Sequence, residues 1–128
     1  MNNLIIDVAN ERIFLMIITN NGVYNITHEN TKINYEKLTL IINDFFSFNN
    51  LKITEISEIY INKGSGSFAG IRNSLSIVKA FNVAKKIDYY CYSLLDFKGE
   101  HGVRHENIPN LCNKFKIKKN LINPIYIS

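Results

Sequence analysis

The stretch from Ile56 to Lys86 constrains this chain more than any other part of it. Ile56 to Ile61 is an apolar run of buried-strand length. It leads into Asn62-Lys63-Gly64-Ser65-Gly66-Ser67-Phe68-Ala69-Gly70, after which Ile71, Leu75, Val78 and Phe81 recur at helical spacing to about Lys86. Asp88 to Tyr92 then reads as a further strand. A strand, a glycine-rich turn, a helix and a second strand form a βαβ unit, with parallel strands and a right-handed crossover. Helix must therefore lie on sheet.

The residues before this unit add strands on one side of it. Leu4-Ile5-Ile6-Asp7-Val8 is a short buried-strand pattern, and Ile13 to Thr19 and Val23 to Thr27 flank Asn21-Gly22. Asn-Gly between two such runs predicts a two-residue hairpin turn with positive φ. Over residues 34–48 the period changes, with Tyr35, Leu38, Ile41, Ile42, Phe45 and Phe46 on one helical side. The order is β-β-β-α-β-α-β, an α/β class with a mixed five-stranded sheet and helices packed on it. With 128 residues, 46% of them apolar, one core is easily built and global disorder is excluded. Beyond Phe97 the pattern weakens through Lys98-Gly99-Glu100-His101-Gly102. Residues 1–97 are expected to be the folded unit. Residues 98–128 read as a polar, basic linker with a short ordered end, Asn123-Pro124-Ile125-Tyr126-Ile127-Ser128.

Composition narrows the class of function. No apolar run approaches the roughly 18–20 residues of a membrane span, and the start lacks a basic region and cleavage site for secretion. Cys91 and Cys112 do not make a disulfide framework, so a reducing cytoplasm is expected. The net charge of +4 invites a nucleic-acid partner. Asn, Ile, Lys, Tyr and Phe share A/T-rich codons, however, and codon bias alone explains the lysine excess. Lys114, Lys116, Lys118 and Lys119 cluster near the end and keep RNA contact as an alternative.

Candidate chemistry centres on the glycine turn. Backbone amides and a helix N-terminus can hold an anion there, so Asp7, Gly64, Gly66 and Ser67 are the residues a nucleotide would meet. The spacing is G-x-G-x-x-x-G, which departs from the dinucleotide fingerprint, and no Walker Gly-Lys-Ser/Thr follows. The alternative is a tight turn in which glycine permits positive φ and Ser67 caps the helix. His101 and His105 stand at i, i+4, but Gly99 and Gly102 make this a loop and further ligands are missing, so no metal is expected. Cys91 reads as a core residue in a strand. Cys112 is an unplaced thiol, and no flanking pattern marks a nucleophile.

At full length, Gly64-Ser65-Gly66-Ser67-Phe68-Ala69-Gly70-Ile71-Arg72 resembles the GPGSFTGxR signature of the TsaB (YeaZ) family of tRNA threonylcarbamoyladenosine biosynthesis proteins. The likeness extends back through Glu58 to Lys63, forward through Leu75, Lys79 and Ala80, and to the apolar-apolar-Asp opening at Asp7. Pro124-Ile125-Tyr126-Ile127-Ser128 is similar to the family's closing Pro-x-Tyr-Leu-Arg. Ser65, Ala69 and Ser74 depart from the family's Pro, Thr and Gly, and Val8-Ala9 replaces its Thr-Ser. Family members carry a second subdomain where residues 98–122 stand here. The chain thus resembles a TsaB reduced to its first subdomain, of actin-like ATPase (ASKHA) type.

The resemblance implies a non-catalytic partner that binds and supports a TsaD-type threonylcarbamoyl transferase, with a TsaE-type ATPase joining indirectly and any tRNA contact indirect. It implies no cofactor, no metal and no protease activity. Gly64, Gly66, Ser67, Phe68, Gly70 and Arg72 would form a structural loop. The contact surface would be Tyr35, Leu38, Ile42, Phe45, Ile71, Leu75, Val78 and Phe81. On both helices the apolar arc spans about 160°, wider than a helix on a sheet needs, and a second protein would bury the excess. Two alternatives stand beside this. One is a small nucleotide- or RNA-binding module using the glycine loop and basic tail. The other is a homodimer that buries the same arcs twice.

Overall fold

The computed structural model describes residues 2–65 and 68–122. Five strands, β1 (Asn3–Asp7), β2 (Arg12–Thr19), β3 (Gly22–Glu29), β4 (Glu58–Asn62) and β5 (Asp88–Tyr92), form one sheet in the order β3-β2-β1-β4-β5. β1 and β2 pair antiparallel, as do β2 and β3, whereas β4 runs parallel to both β1 and β5. The mixed α/β sheet expected from the sequence is the one observed.

The β2–β3 hairpin turns one residue earlier than the Asn-Gly signal predicts. Thr19 pairs with Gly22, so the loop is Asn20-Asn21, and neither asparagine has positive φ. The Thr19 hydroxyl holds the turn instead. Its Oγ1 accepts from the backbone N–H groups of Asn21 and Gly22 at 3.1 Å and donates to the Gly22 carbonyl at 3.0 Å.

Alternation along each strand divides the core. Leu4, Ile6, Ile13, Leu15, Ile17, Ile59, Ile61, Tyr89 and Cys91 face one side and are buried there. Three helices cover this face: α1 (Lys32–Glu36), α2 (Leu38–Phe48) and α3 (Phe68–Lys85). The single helix expected over residues 34–48 is two, because the Lys37 N–H bonds to the Asn34 carbonyl and tightens the turn between them. Thr31 caps α1 by accepting from the Asn34 N–H at 3.3 Å. Asn50 and Lys86, with φ of 55° and 56°, lie just beyond the ends of α2 and α3. Positive φ at these places is how helices commonly terminate.

The opposite face carries Ile5, Met16, Tyr60 and Tyr92, and its cover comes from the stretch read in sequence as a linker. There α4 (Ile108–Lys114) turns Ile108, Leu111 and Cys112 inward, with Pro109 in its first turn, where the missing N–H costs nothing. Phe97 stacks on Tyr92 with centroids 5.8 Å apart and meets Phe115 at 5.7 Å. Further on, the chain crosses the open edge of β5. The Asn120 N–H donates to the Tyr89 carbonyl at 2.7 Å, its side-chain oxygen accepts from the Tyr89 N–H at 3.0 Å, and its amide donates to Asp88 at 2.9 Å. That last bond, more than the nearby Lys119, lowers the Asp88 carboxyl below its ordinary range. The closing segment, residues 123–128, lies outside the described residues.

Gly70 sets how closely α3 approaches β1. A Cβ there would lie 3.1 Å from Val8 Cγ1 and 3.6 Å from the Val8 carbonyl. Gly70→Val is expected to lower stability by about 1–3 kcal/mol through overpacking, read as a lower urea midpoint with an unchanged m-value.

Candidate functional site

The C-terminal ends of the parallel strands β1 and β4 bring Asp7 and Asn62 side by side on the α4 face. Open α/β sheets place their ligands at this kind of position. Both side chains are buried, Asp7 at 3% and Asn62 at 4% exposure. A carboxylate taken out of water needs donors, and this one is fully supplied. Oδ1 accepts from the Ala9 N–H at 3.1 Å, from Asn10 at 3.3 Å and from Asn62 at 3.4 Å. Oδ2 accepts from Asn10 at 3.3 Å and faces Nε2 of His105 at 3.0 Å. Because an ionised carboxylate offers only acceptors, Nε2 is the donor of that contact.

His105 is held from its flank as well. Its ring stacks on Phe14 of β2, with centroids 3.9 Å apart and planes 23° from parallel. Asn62 accepts on its own Oδ1 from the Gly64 N–H at 3.0 Å, which ties the start of the glycine turn into the same network. Gly64 has φ of 123°, a backbone that side chains resist. Tyr92 ends β5 on the same face; its hydroxyl is buried with no partner among the described residues. Burial first, then the Asp7 charge, pushes its ionisation far above the ordinary tyrosine range.

An actin-like fold implies a nucleotide with a divalent cation near Asp7. The residues present do not fit that group. Both oxygens of Asp7 are engaged by protein donors, and the stacked imidazole of His105 lies against the carboxylate. Among the described residues, no three His, Cys, Asp or Glu side chains are grouped for a metal. The cysteines are poor nucleophiles, because burial pushes both thiols up to about 12. The arrangement instead latches residues 98–122 to the sheet.

The sequence considered both His105 and Asp7 and did not join them, since 98 residues separate the pair. The only signal was general: a carboxylate ending a buried strand requires donors, and histidine is one of few residues able to reach it.

The residues expected at a contact surface turn mostly inward in this chain. Leu38, Ile42, Phe45, Ile71, Leu75 and Val78 are buried against the sheet at 0–4% exposure. Tyr35 and Phe81 are half-buried beside them. A carbonyl of Tyr35 receives the Asn73 side-chain amide, joining α1 to α3. The inner part of each arc forms the core, whereas Phe48 at the edge of the first arc stays outside, as do Ile33, Leu40 and Val83, which lie off the arcs. Of the loop residues, Gly64 donates its N–H to Asn62 and Gly70 packs against Val8. Arg72 is exposed on α3, near Leu75, Ser76, Lys79 and Ile122. Gly66 and Ser67 lie outside the described residues, and Phe68 opens α3.

The strand order and the helices on both faces define a mixed α/β fold. The solved structure of YeaZ from Pseudomonas aeruginosa is similar to it, with a TM-score of 0.66 and 15% identity over 72% of this chain and 43% of that one. The structure of an uncharacterized protein with similarity to peptidase YEAZ from Pseudomonas aeruginosa gives the same values. RuvC from T. thermophilus is also similar, with a TM-score of 0.51 and 10% identity over 92% of this chain and 82% of that one. No protein-family model matches the chain, and no curated protein does. Identities this low establish the fold alone, and this chain spans less than half of the YeaZ chains.

His105→Ala is expected to cost about 1–3 kcal/mol, because it leaves a buried acceptor short of a donor. A double-mutant cycle with Asp7→Asn, read by urea unfolding, should return a coupling of about 0.5–3 kcal/mol; additive losses would dissolve the latch. The thiols set a second expectation. Their folded values lie near 12 against an ordinary value of 9.0, so the unfolded chain releases protons first as pH rises. Their contribution is complete below the ordinary value and is lost as pH climbs through the folded value. Urea midpoints should fall above about pH 9, and less steeply in a Cys91→Ala, Cys112→Ala variant.

Proposed function

We propose that this chain is a non-catalytic partner subunit, acting in the cytoplasm, that binds and supports a TsaD-type threonylcarbamoyl transferase in tRNA modification. The observation that carries this reading is where the Ser67-Phe68-x-Gly70-x-Arg72 motif falls. Its Phe68, Gly70 and Arg72 fall in the opening turns of α3, the helix that follows β4, in a fold similar to YeaZ. The Asp7 network suits a binding role, since both carboxylate oxygens already accept from protein donors. A TsaE-type ATPase would join through the transferase, and tRNA would be met through it.

The surface for this role lies on the outer sides of α1, α2 and α3. Phe48 is 87% exposed, and Val83, Ile33 and Leu40 are each more than half exposed. Large apolar side chains left in water on adjacent helices suit burial by a second protein. The competing nucleic-acid reading draws on the basic segment, and part of that charge is already neutralised. Lys114 pairs with Glu100 at 3.0 Å and Lys119 with Asp88 at 3.5 Å.

Calorimetry with the TsaD-type subunit of the same genome tests the reading. The wild-type chain should bind, and Phe48→Ala or Val83→Asp should weaken the complex by about 2 kcal/mol where either is an anchor. No heat from the wild-type chain would remove the proposal, as would a thermal shift on millimolar ATP or on tRNA with none on the transferase. Sedimentation of the chain alone separates a homodimer from a free monomer awaiting its partner.

A further inference from the structure

The end of the sheet opposite Asp7 holds a cleft that the partner role leaves unused. It has a volume of about 440 Å³ and lies between the N-terminal ends of β1, β4 and β5 and the outer side of α4. Asn3, Glu58, Tyr60 and Tyr90 form its floor, and Asn113 and Lys116 stand among its walls. The strand register explains the floor. Asn3 pairs with Glu58 and Tyr60 with Tyr90, so acidic and amide groups form one row and two phenols the next.

The floor is rich in acceptors. Tyr60 donates its hydroxyl to Glu58 Oε1 at 3.3 Å, and the Tyr90 phenol lies close enough to feel the same carboxylate. The two rings stack with centroids 5.0 Å apart and planes 10° from parallel. Glu58 is half-buried, and among the described residues no ion pair reaches it. Lys116 is exposed and lines the cleft, and among the described residues no ion pair joins it to Glu58. Beside Glu58, the Asn3 side-chain oxygen is buried without a donor. A carboxylate has about four acceptor positions, and two phenols leave some of them open.

We propose that this cleft binds an alkyl-ammonium group, with Glu58 as its counter-ion. An ammonium is a compact charge with three donors. Glu58 takes one in a charge-assisted bond, and the Asn3 amide oxygen, after rotation toward the cleft, takes another. An anion would meet the Glu58 charge, and an apolar ligand would strip water from the carboxylate without replacing its bonds. The same group is presented by a free diamine and by a lysine side chain of another protein.

Amide-resolved NMR titration of the full chain separates these sources. One arm uses 1,5-diaminopentane, the other a doubly blocked lysine, and 1-pentanol is the uncharged control. Saturable shifts confined to Tyr60, Tyr90, Asn113 and Lys116 are expected with an amine and not with pentanol. Shifts from the diamine alone assign a small-molecule site, and shifts from both amines assign one that also accepts a side chain. Glu58→Gln keeps the shape and an acceptor for the phenols, and should weaken binding about tenfold or more. Asp44→Asn, on α2 across the sheet, should change nothing. Absence of localised shifts with either amine, equal shifts with pentanol, or wild-type affinity in Glu58→Gln would each overturn the proposal.

Discussion

Two parallel strands at the centre of the sheet, each buried on both faces, govern the rest of this structure. Parallel strands cannot be joined by a hairpin and need a crossover, which α3 supplies between β4 and β5. Strands buried on both sides also need cover on both sides. One face is aliphatic and takes three helices. The other holds aromatic and polar side chains, and it is closed by a short helix and the rings of Phe97 and Phe115. Without that second cover, Ile5, Met16, Tyr60 and Tyr92 would stand in water. Ile108, Leu111 and Cys112 are thus part of the core.

The same pairing creates the polar problem at Asp7. Ending β1 inside a covered sheet buries a carboxylate, and burial without partners would cost several kcal/mol. The chain answers with two asparagine side chains, a backbone N–H and His105. In doing so it closes the crevice where an open sheet would receive a ligand. The two binding surfaces we propose lie elsewhere, on the outer faces of the helices and in the cleft at the far end of the strands, where burial is incomplete.

Sequence reasoning succeeded where structure follows from neighbours and failed where it follows from distance. The strands were legible because each is a run of apolar residues, and α3 because Ile71, Leu75 and Val78 keep their period for several turns. The hairpin moved by one residue because the Thr19 hydroxyl, which is invisible to an Asn-Gly rule, fixes the turn. Helix α4 escaped notice because seven residues are too few to display a period. Leu38, Ile42 and Phe45 looked available to a partner because periodicity marks an apolar face without saying what already covers it. Glu58 lay inside the Ile56–Ile61 run with no role of its own, since nothing near it in sequence announces Tyr90 or Asn3.

What the amino-acid order determined by itself was the set of elements, their α/β class and the tight glycine junction after β4. Each depends on the spacing of apolar side chains or on the local freedom of the backbone. What only the tertiary structure decided was which groups meet: His105 with Asp7, α4 with the second face, the two tyrosines with Glu58. Such pairings are set by strand register and by the need to satisfy every buried polar group. Those conditions act through space, between residues that the chain keeps far apart.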